Sequence, residues 1–387
     1  VRVLFVSSYG FPEERRTPES IIAEEIAKRG VHVEAISYGK RFAMERRGGV
    51  LIHRIPPIRF GLDGRKLLVR ADALFWLFVF LRKRDFDIIH LNYPSTLSLV
   101  CSALTRAMRR NARIVITNHD PAIASGIRPL HRSMRSVIRS GGTLINLLGY
   151  VQSVPFRLSD KIVVFSTYER ALFSKYGFGN TALIPNPVEI STSDSSEDFF
   201  ERRNVKRPVI LNVGRFVPQK GQEFLVRAAP LILKRMDAGF VLIGAGGMLA
   251  GKLRHLAEKL SVSSRFHFIH SLSSAEVDRA YACCDLFVFP SLFESFGLAA
   301  FEAIAHGKRV IAFDIEPLRE LLGPSGRVRF VPVGDVDSLA DAVVEELSRR
   351  DSENDKLRGM EWVKRNFSRE VIAAKILELY ENLLSKK

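Results

Sequence analysis

The sequence predicts an α/β protein built from two open, mainly parallel sheets, each with helices on both faces. Short runs rich in β-branched and aromatic residues alternate with helical patterns along the whole chain. At 387 residues the chain exceeds what one ordinary core organises, so two domains of similar size are expected. The alternation breaks once, at the polar, acidic STSDSSEDFFERRN of residues 191–204, read as a linker or exposed excursion, and then restarts.

VRVLFVSS reads as a first strand rather than a charged-then-apolar leader. TPESIIAEEIAKRG follows as a helix, with Thr17 at its N-cap, Pro18 at its first position and Gly30 as its stop. VHVEAISYG and LIHRIP are strands, and a long amphipathic segment runs through RKLLVRADALFWLFVFLRKR. Its uncharged core, residues 73–81, is about half the length of a membrane-spanning helix. DIIHLN, ITNHD and KIVVFS supply further strands before the break. After it come RPVILNVG, a helix from about Gln222, GFVLIG, RFHFIH, DLFVFPS, RVIAFD and VRFVPVG. Apolar content of 47% and charged content of 26% are those of a soluble globular protein. Cys101, Cys283 and Cys284 form no CxxC and no zinc spacing, which predicts a reducing compartment without disulfides.

The formal net charge of +16 is unevenly placed. Residues 1–190 hold 29 Lys and Arg against 15 Asp and Glu, whereas the remainder holds 29 against 27. That asymmetry points to a polyanionic partner of the first half. In IRPLHRSMRSVIRS, residues 127–140, Arg128, Arg132, Arg135 and Arg139 recur at helical spacing with Leu130, Met134, Val137 and Ile138 between them. On a helix this is a basic face beside an apolar one, suited to an anionic membrane surface.

Two strand ends carry the chemistry. FESFGLAAFEAIAHG, residues 293–307, follows the strand DLFVFP and opens a helix, which is where open α/β sheets bind ligands. Amides around Phe296, Gly297 and Leu298 make an anion site, and Gly297 lets a phosphate approach the backbone. Glu294 in the loop and Glu302 about one turn into the helix can address one ligand, Glu302 accepting from a cis-diol such as a ribose. The second strand end is GRFVPQKGQ, where Gly214 precedes Arg215 and Lys220, a planar fork and a point charge suited to a diphosphate. Neither the DFD of residues 85–87, at a strand's amino end, nor the DVD of residues 335–337, a helix cap, reads as a metal motif.

FPSLFESFGLAAFEAIAHG, GRFVPQKG and IPNPVE together resemble the signature segments of the retaining family-4 glycosyltransferases, with DIIHLN, ITNHD and the GAGG of residues 244–247 in the same order. The resemblance implies the GT-B fold, two Rossmann-like domains facing across a cleft. Residues 1–188 would be the acceptor-side domain and 189–366 the nucleotide-sugar-binding domain, with a last helix, 367–387, crossing back to the first. It implies that Arg215 and Lys220 hold the donor diphosphate, Glu302 the ribose and Glu294 the sugar hydroxyls, and that His119 faces sugar and acceptor. The implied reaction is metal-independent and retaining, moving a hexose from a UDP-, GDP- or ADP-sugar, with no cofactor, to a lipid-linked or cell-envelope glycan. The implied location is cytoplasmic, peripheral on the inner face of the membrane. Departures from the pattern are a single Gly10 where the family has Gly-Gly, and Pro187, His270 and Lys308.

A nucleotide-sugar 2-epimerase of similar shape is the competing enzyme, disfavoured by the Arg/Lys loop combined with paired glutamates. A dehydrogenase is weaker still, since the first strand's loop lacks G-x-G-x-x-G. A nucleic-acid-binding protein on an inactive scaffold would explain the basic half, but no stacking-aromatic and basic motif accompanies it, and no nucleic-acid partner is expected.

Overall fold

The computed structural model describes residues 1–8, 11, 17–57, 71–108, 111–124, 130, 149–189, 199–244, 246–247 and 249–385. Two compact units emerge. Unit 1 is Val1–Pro187 with Arg369–Lys387, and unit 2 is Val188–Ser368.

Unit 1 contains β1 (Arg2–Ser7), β2 (His32–Tyr38), β3 (Ala43–Arg47), β4 (Val50–Ile55), β5 (Ile88–Asn92), β6 (Arg113–Thr117), β7 (Lys161–Val164) and β8 (Thr181–Leu183). They form one sheet in the order β3-β4-β2-β1-β5-β6-β7-β8, parallel except for the antiparallel β3–β4 pair. Strands covered on both faces read as continuous apolar runs. In β1, Leu4 and Val6 join one buried cluster with Ile89, Leu91 and Ile116, while Val3 and Phe5 join the opposite one. That second cluster takes in Ile372, Ile376 and Tyr380 of the last helix, Arg369–Leu384. The helix is pinned through His90 of β5, whose ring nitrogens lie 2.5 Å from the Tyr380 hydroxyl and 2.7 Å from Thr117 Oγ1. Burial, and secondarily His119, push the His90 pKa down to about 3, so this bridge uses a neutral imidazole.

The helix Pro18–Lys28 starts as its residues dictate, with Thr17 accepting from Ser20 in a capping box and Pro18 in the first turn. The linker expectation for 191–204 needs correction at its end. Residues 191–198 lie outside the described residues, but Phe199 and Phe200 are buried and Glu201–Arg203 form a short 3₁₀ turn, so apolar content draws this stretch into unit 2. The basic segment of residues 127–140 also lies outside the described residues except Leu130, which is buried.

Unit 2 contains β9 (Val209–Val213), β10 (Gly239–Ile243), β11 (Phe266–Ile269), β12 (Leu286–Phe289), β13 (Val310–Phe313) and β14 (Val328–Val331). The order β11-β10-β9-β12-β13-β14 is wholly parallel, the doubly wound arrangement. The winding direction reverses between β9 and β12, so their carboxyl ends flank the topological switch point. The loops that follow are GRFVPQKG and PSLFESFG.

Candidate active site

The two loops after β9 and β12 are tied to each other. Leu292 N–H donates to Gln219 O at 2.8 Å, and Gln219 Nε2 donates to Phe293 O at 2.9 Å. Gly221 packs so closely that a Cβ there would stand 1.8 Å from Pro290 O, with φ at +60°. Only glycine permits both the left-handed backbone and that approach. Buried Gln222 secures the floor, donating to Asn212 Oδ1 at 3.2 Å and to Gly214 O at 3.1 Å, while Asn212 donates to Val288 O at 2.8 Å.

This scaffold sets Lys220 directly on Glu294. The ammonium donates to Glu294 Oε1, and the two side chains are 17% and 7% exposed. The lysine stem lies over Gly214, and its nitrogen stands 5.3 Å from the Phe289 ring centre. Two residues assigned separate ligand groups from sequence are thus partners of one another in the free protein. Lys220 keeps two further N–H donors, and Glu294 Oε2 has no partner among the described residues. Arg215, on the same loop, is exposed and forms no ion pair among the described residues.

The helix Leu298–Ala305 begins at Gly297, whose φ of +86° makes it a left-handed N-cap. Ala300 N–H donates to Gly297 O at 2.9 Å, and the Leu298 and Ala299 amides before it precede the first intrahelical bond. Phe296 contributes no side-chain contact to this anion site. Its ring stacks on Phe301 at 4.4 Å and meets Phe367, so only its backbone faces the role assigned to it. Glu302 is half-buried and accepts from the Tyr281 hydroxyl at 2.9 Å, which fixes one carboxylate oxygen.

His119 belongs to unit 1, two residues beyond β6. It is half-buried, its Nε2 stands 3.6 Å from Glu19 Oε1, and its ring is 5.3 Å from that of Phe165. Burial pushes its pKa below the ordinary histidine value against the opposing pull of Glu19, so it presents a neutral imidazole. The flanking residues are braced. Asn118 donates to buried Glu169 at 2.5 Å, and Asp120 accepts from Ala122 N–H at 2.9 Å and from the Tyr93 hydroxyl at 3.1 Å. Sequence reasoning missed Gln219, Gln222, Tyr93, Asp120 and Glu169. The two glutamines sit inside the GRFVPQKGQ motif and could have been drawn in, while the others show their partners only in three dimensions.

Of the departing residues, His270 is exposed beyond β11, 5.1 Å from the Phe216 ring, and Lys308 donates to Ala282 O at 2.7 Å. Asp335 caps its helix through Ser338, as the DVD segment suggests, and Asp87 of DFD accepts from Arg2 N–H at 2.8 Å. A cavity of about 470 Å³ among Arg84, Asp85, Asp87 and Thr105 lies at the amino end of β5, the opposite end of that sheet from His119.

The geometry agrees with comparisons to known proteins. The family described as Glycosyl transferases group 1 matches residues 194–358, and Glycosyltransferase Family 4 matches residues 21–192. A GDP-mannose-dependent alpha-(1-6)-phosphatidylinositol monomannoside mannosyltransferase of Mycobacterium tuberculosis is 27% identical over 283 residues, 69% of each chain. The phosphatidyl-myo-inositol mannosyltransferase of Mycolicibacterium smegmatis is 27% identical over 310 residues, 77% of this chain and 72% of that one. Among solved structures, sucrose-phosphate synthase from Thermosynechococcus elongatus superposes with a TM-score of 0.76 at 22% identity over 100% of both chains. Anabaena HepE in complex with UDP and glucose gives 0.72 at 18%, covering 98% of this chain and 99% of the other. These structural likenesses show the fold, and the two family matches fall on most of unit 1 and of unit 2. The chain belongs to the group 1, family 4 glycosyltransferases and has the GT-B fold.

Proposed function

We propose that this protein moves a hexose from a nucleotide-diphosphate sugar to a lipid-linked or cell-envelope glycan acceptor, with retention at the anomeric carbon and without a metal ion or other cofactor. The observation that carries the reading is the Lys220–Glu294 pair at the switch point of unit 2, with Arg215 unpaired on the same loop among the described residues. A lysine already oriented by a carboxylate offers its remaining donors to diphosphate oxygens, and Arg215 adds a fork. The helix N-terminus at Gly297 supplies a third source of positive potential. Together these meet the charge that grows on the leaving diphosphate. Glu294 Oε2 accepts from a sugar hydroxyl and Glu302 from the ribose. The bond between the anomeric carbon and the diphosphate breaks as the acceptor oxygen bonds on the same face. The acceptor's proton passes to the departing diphosphate. His119, neutral, serves as a hydrogen-bonding partner for sugar or acceptor.

The relatives named for GDP-mannose and the structures holding UDP make both nucleotides first choices for the donor. The test is release of nucleotide over UDP-, GDP- and ADP-sugars with phosphatidylinositol vesicles, alongside calorimetry of UDP and GDP on Arg215→Ala and Lys220→Ala. Loss of one charge-assisted phosphate contact costs about 1.5–3 kcal/mol, so unchanged affinity in both variants contradicts the assignment. Activity lost in EDTA and restored by manganese, or an inverted product by NMR, contradicts the mechanism.

A peripheral, cytoplasmic-face membrane association of unit 1 belongs to the same proposal. No described helix is long and apolar enough to cross a membrane. The support is the charge excess of residues 1–190 and an exposed patch on unit 1. Phe42 is 40%, Met44 71% and Phe75 69% exposed, and Phe42 contacts Trp76 at 6.0 Å, so β3 and the helix Ala71–Lys83 adjoin there. Lys40, Arg41 and Arg46 are exposed around them. Cosedimentation with vesicles of rising anionic-lipid content, at low and high salt, checks it. Wild type remaining in the supernatant throughout refutes it.

A further inference from the structure

Tyr93 is an aromatic residue held in the left-handed backbone region, at φ +75°, one position beyond β5. For a bulky side chain this conformation is an outlier that persists only where the surroundings over-determine it. They do so here. Tyr93 N–H donates to Thr117 O at 3.1 Å, and its carbonyl accepts from Ser95 N–H at 2.8 Å and Ser98 Oγ at 2.7 Å. The hydroxyl donates to Asp120, itself only 2% exposed. With the backbone locked and the hydroxyl tethered, the ring has one orientation, and it is 37% exposed.

Its position is informative. Ser7 of β1 pairs with Asn92 of β5, so Ser8 and Tyr93 leave the carboxyl ends of adjacent strands. Between β1 and β5 the winding direction of unit 1 reverses, which makes this the unit's own switch point. Two buried polar atoms there, Ser8 Oγ and Asn92 Nδ2, have no hydrogen-bond partner among the described residues, although their residues are only 6% and 2% exposed. Buried polar groups are nearly always paired, so unspent capacity at a ligand-binding end of a sheet marks a place where a polar ligand completes the structure.

We propose that Tyr93 is a specificity-determining platform on which a hydroxylated six-membered ring of the acceptor, a pyranose or a cyclitol, stacks, with Asn92 and Ser8 providing the polar edge. Such rings present an apolar C–H face and a polar rim, which suits an exposed, fixed aromatic ring on strand ends that also carry an amide and a hydroxyl without partners among the described residues. The assignment rests on the glycosyl-transfer reading, since it identifies the chemistry of that reaction's acceptor.

The experiment is saturation-transfer NMR on the full chain with methyl α-mannopyranoside, methyl α-glucopyranoside and myo-inositol, irradiating the aromatic region. At least one probe is expected to receive saturation on its ring C–H protons. Tyr93→Phe, which keeps the ring, retains it. Tyr93→Asn, whose side chain tolerates the left-handed region, weakens binding about 3- to 10-fold, as loss of one aromatic contact implies. Absence of saturation from all three probes, or an undiminished effect in Tyr93→Asn, overturns the proposal, and the wild-type arm decides even if a variant fails to fold. UDP and GDP titrations on the same samples separate the two ideas. Nucleotide binding without probe binding removes only the platform, and probe binding without nucleotide binding removes only the transferase reading.

Discussion

Glu294 and Lys220 make a thermodynamic prediction independent of any substrate. Two unit charges about 4 Å apart attract by roughly 4 kcal/mol at the effective dielectric of a protein site, and desolvation of both groups offsets much of that gain. The pair therefore stabilises the fold modestly, but removing one member strands the other. For a fully buried pair that costs about 3–5 kcal/mol. Here the stranded groups differ. Glu294→Gln leaves Lys220, 17% exposed and on a flexible stem, which can reach water, so the cost falls to about 2 kcal/mol. Lys220→Met leaves the Glu294 carboxylate only 7% exposed and also removes the contact with Phe289, so about 3–4 kcal/mol is expected. The double variant should be more stable than the two single costs predict, by a coupling of about 2 kcal/mol. Urea unfolding of the four proteins, with a common slope, measures all three quantities. A coupling below about 0.5 kcal/mol, the usual limit of additivity, or a larger cost for Glu294→Gln than for Lys220→Met, would refute the reasoning.

Three further outcomes follow from other sites. Burial pushes the Glu169 pKa up to about 8, above its unfolded value, so folding binds a proton and stability falls as pH rises from about 4.5 to 8, at up to roughly 1.4 kcal/mol per unit. Glu169→Gln cannot ionise, so its stability relative to wild type should improve across that window, as urea titrations at pH 5, 6.5 and 8 would show; a pH-independent difference contradicts the buried acid. Gly221→Ala should destabilise by about 2–5 kcal/mol, combining left-handed strain with a clash against Pro290 O, and should weaken nucleotide binding by separating the two loops. Tyr380→Phe removes one partner of neutral, buried His90 and should cost about 1–3 kcal/mol by chemical denaturation.

The fold was legible because both sheets are covered on both faces, so strands such as VILNV and LFVF appear as unbroken apolar runs separated by amphipathic helices. β3 escaped notice for the opposite reason. AMERR is an edge strand with polar residues on both sides of the pleat, and it is fixed by pairing with β4 rather than by burial. β8, three residues long and scarcely buried, has no periodicity to read. The end of the 191–204 stretch misled because composition averages over neighbours. Two phenylalanines decide its fate within a run otherwise rich in serine and acid.

Legibility of the site divides along the same physical line. Gly214, Lys220, Glu294 and Gly297 were visible because backbone demands force particular residue types into short motifs, glycine at +86° being one case. Their roles as ligand groups were assigned one residue at a time, and that is where the sequence stops. A carboxylate and an ammonium 74 positions apart carry no sign that they meet, yet their meeting decides how much net charge this strand end presents. Tyr93 is the converse. Where a left-handed position holds glycine, the letter itself betrays the turn, but where it holds tyrosine, composition hides the strain and only φ exposes it. The features of unit 2 that the sequence shows are thus glycines and charges at the carboxyl ends of its strands. On unit 1, where Ser95, Ser98 and Thr117 hold the Tyr93 backbone and Asp120 its hydroxyl, the information lies in contacts between motifs rather than within them.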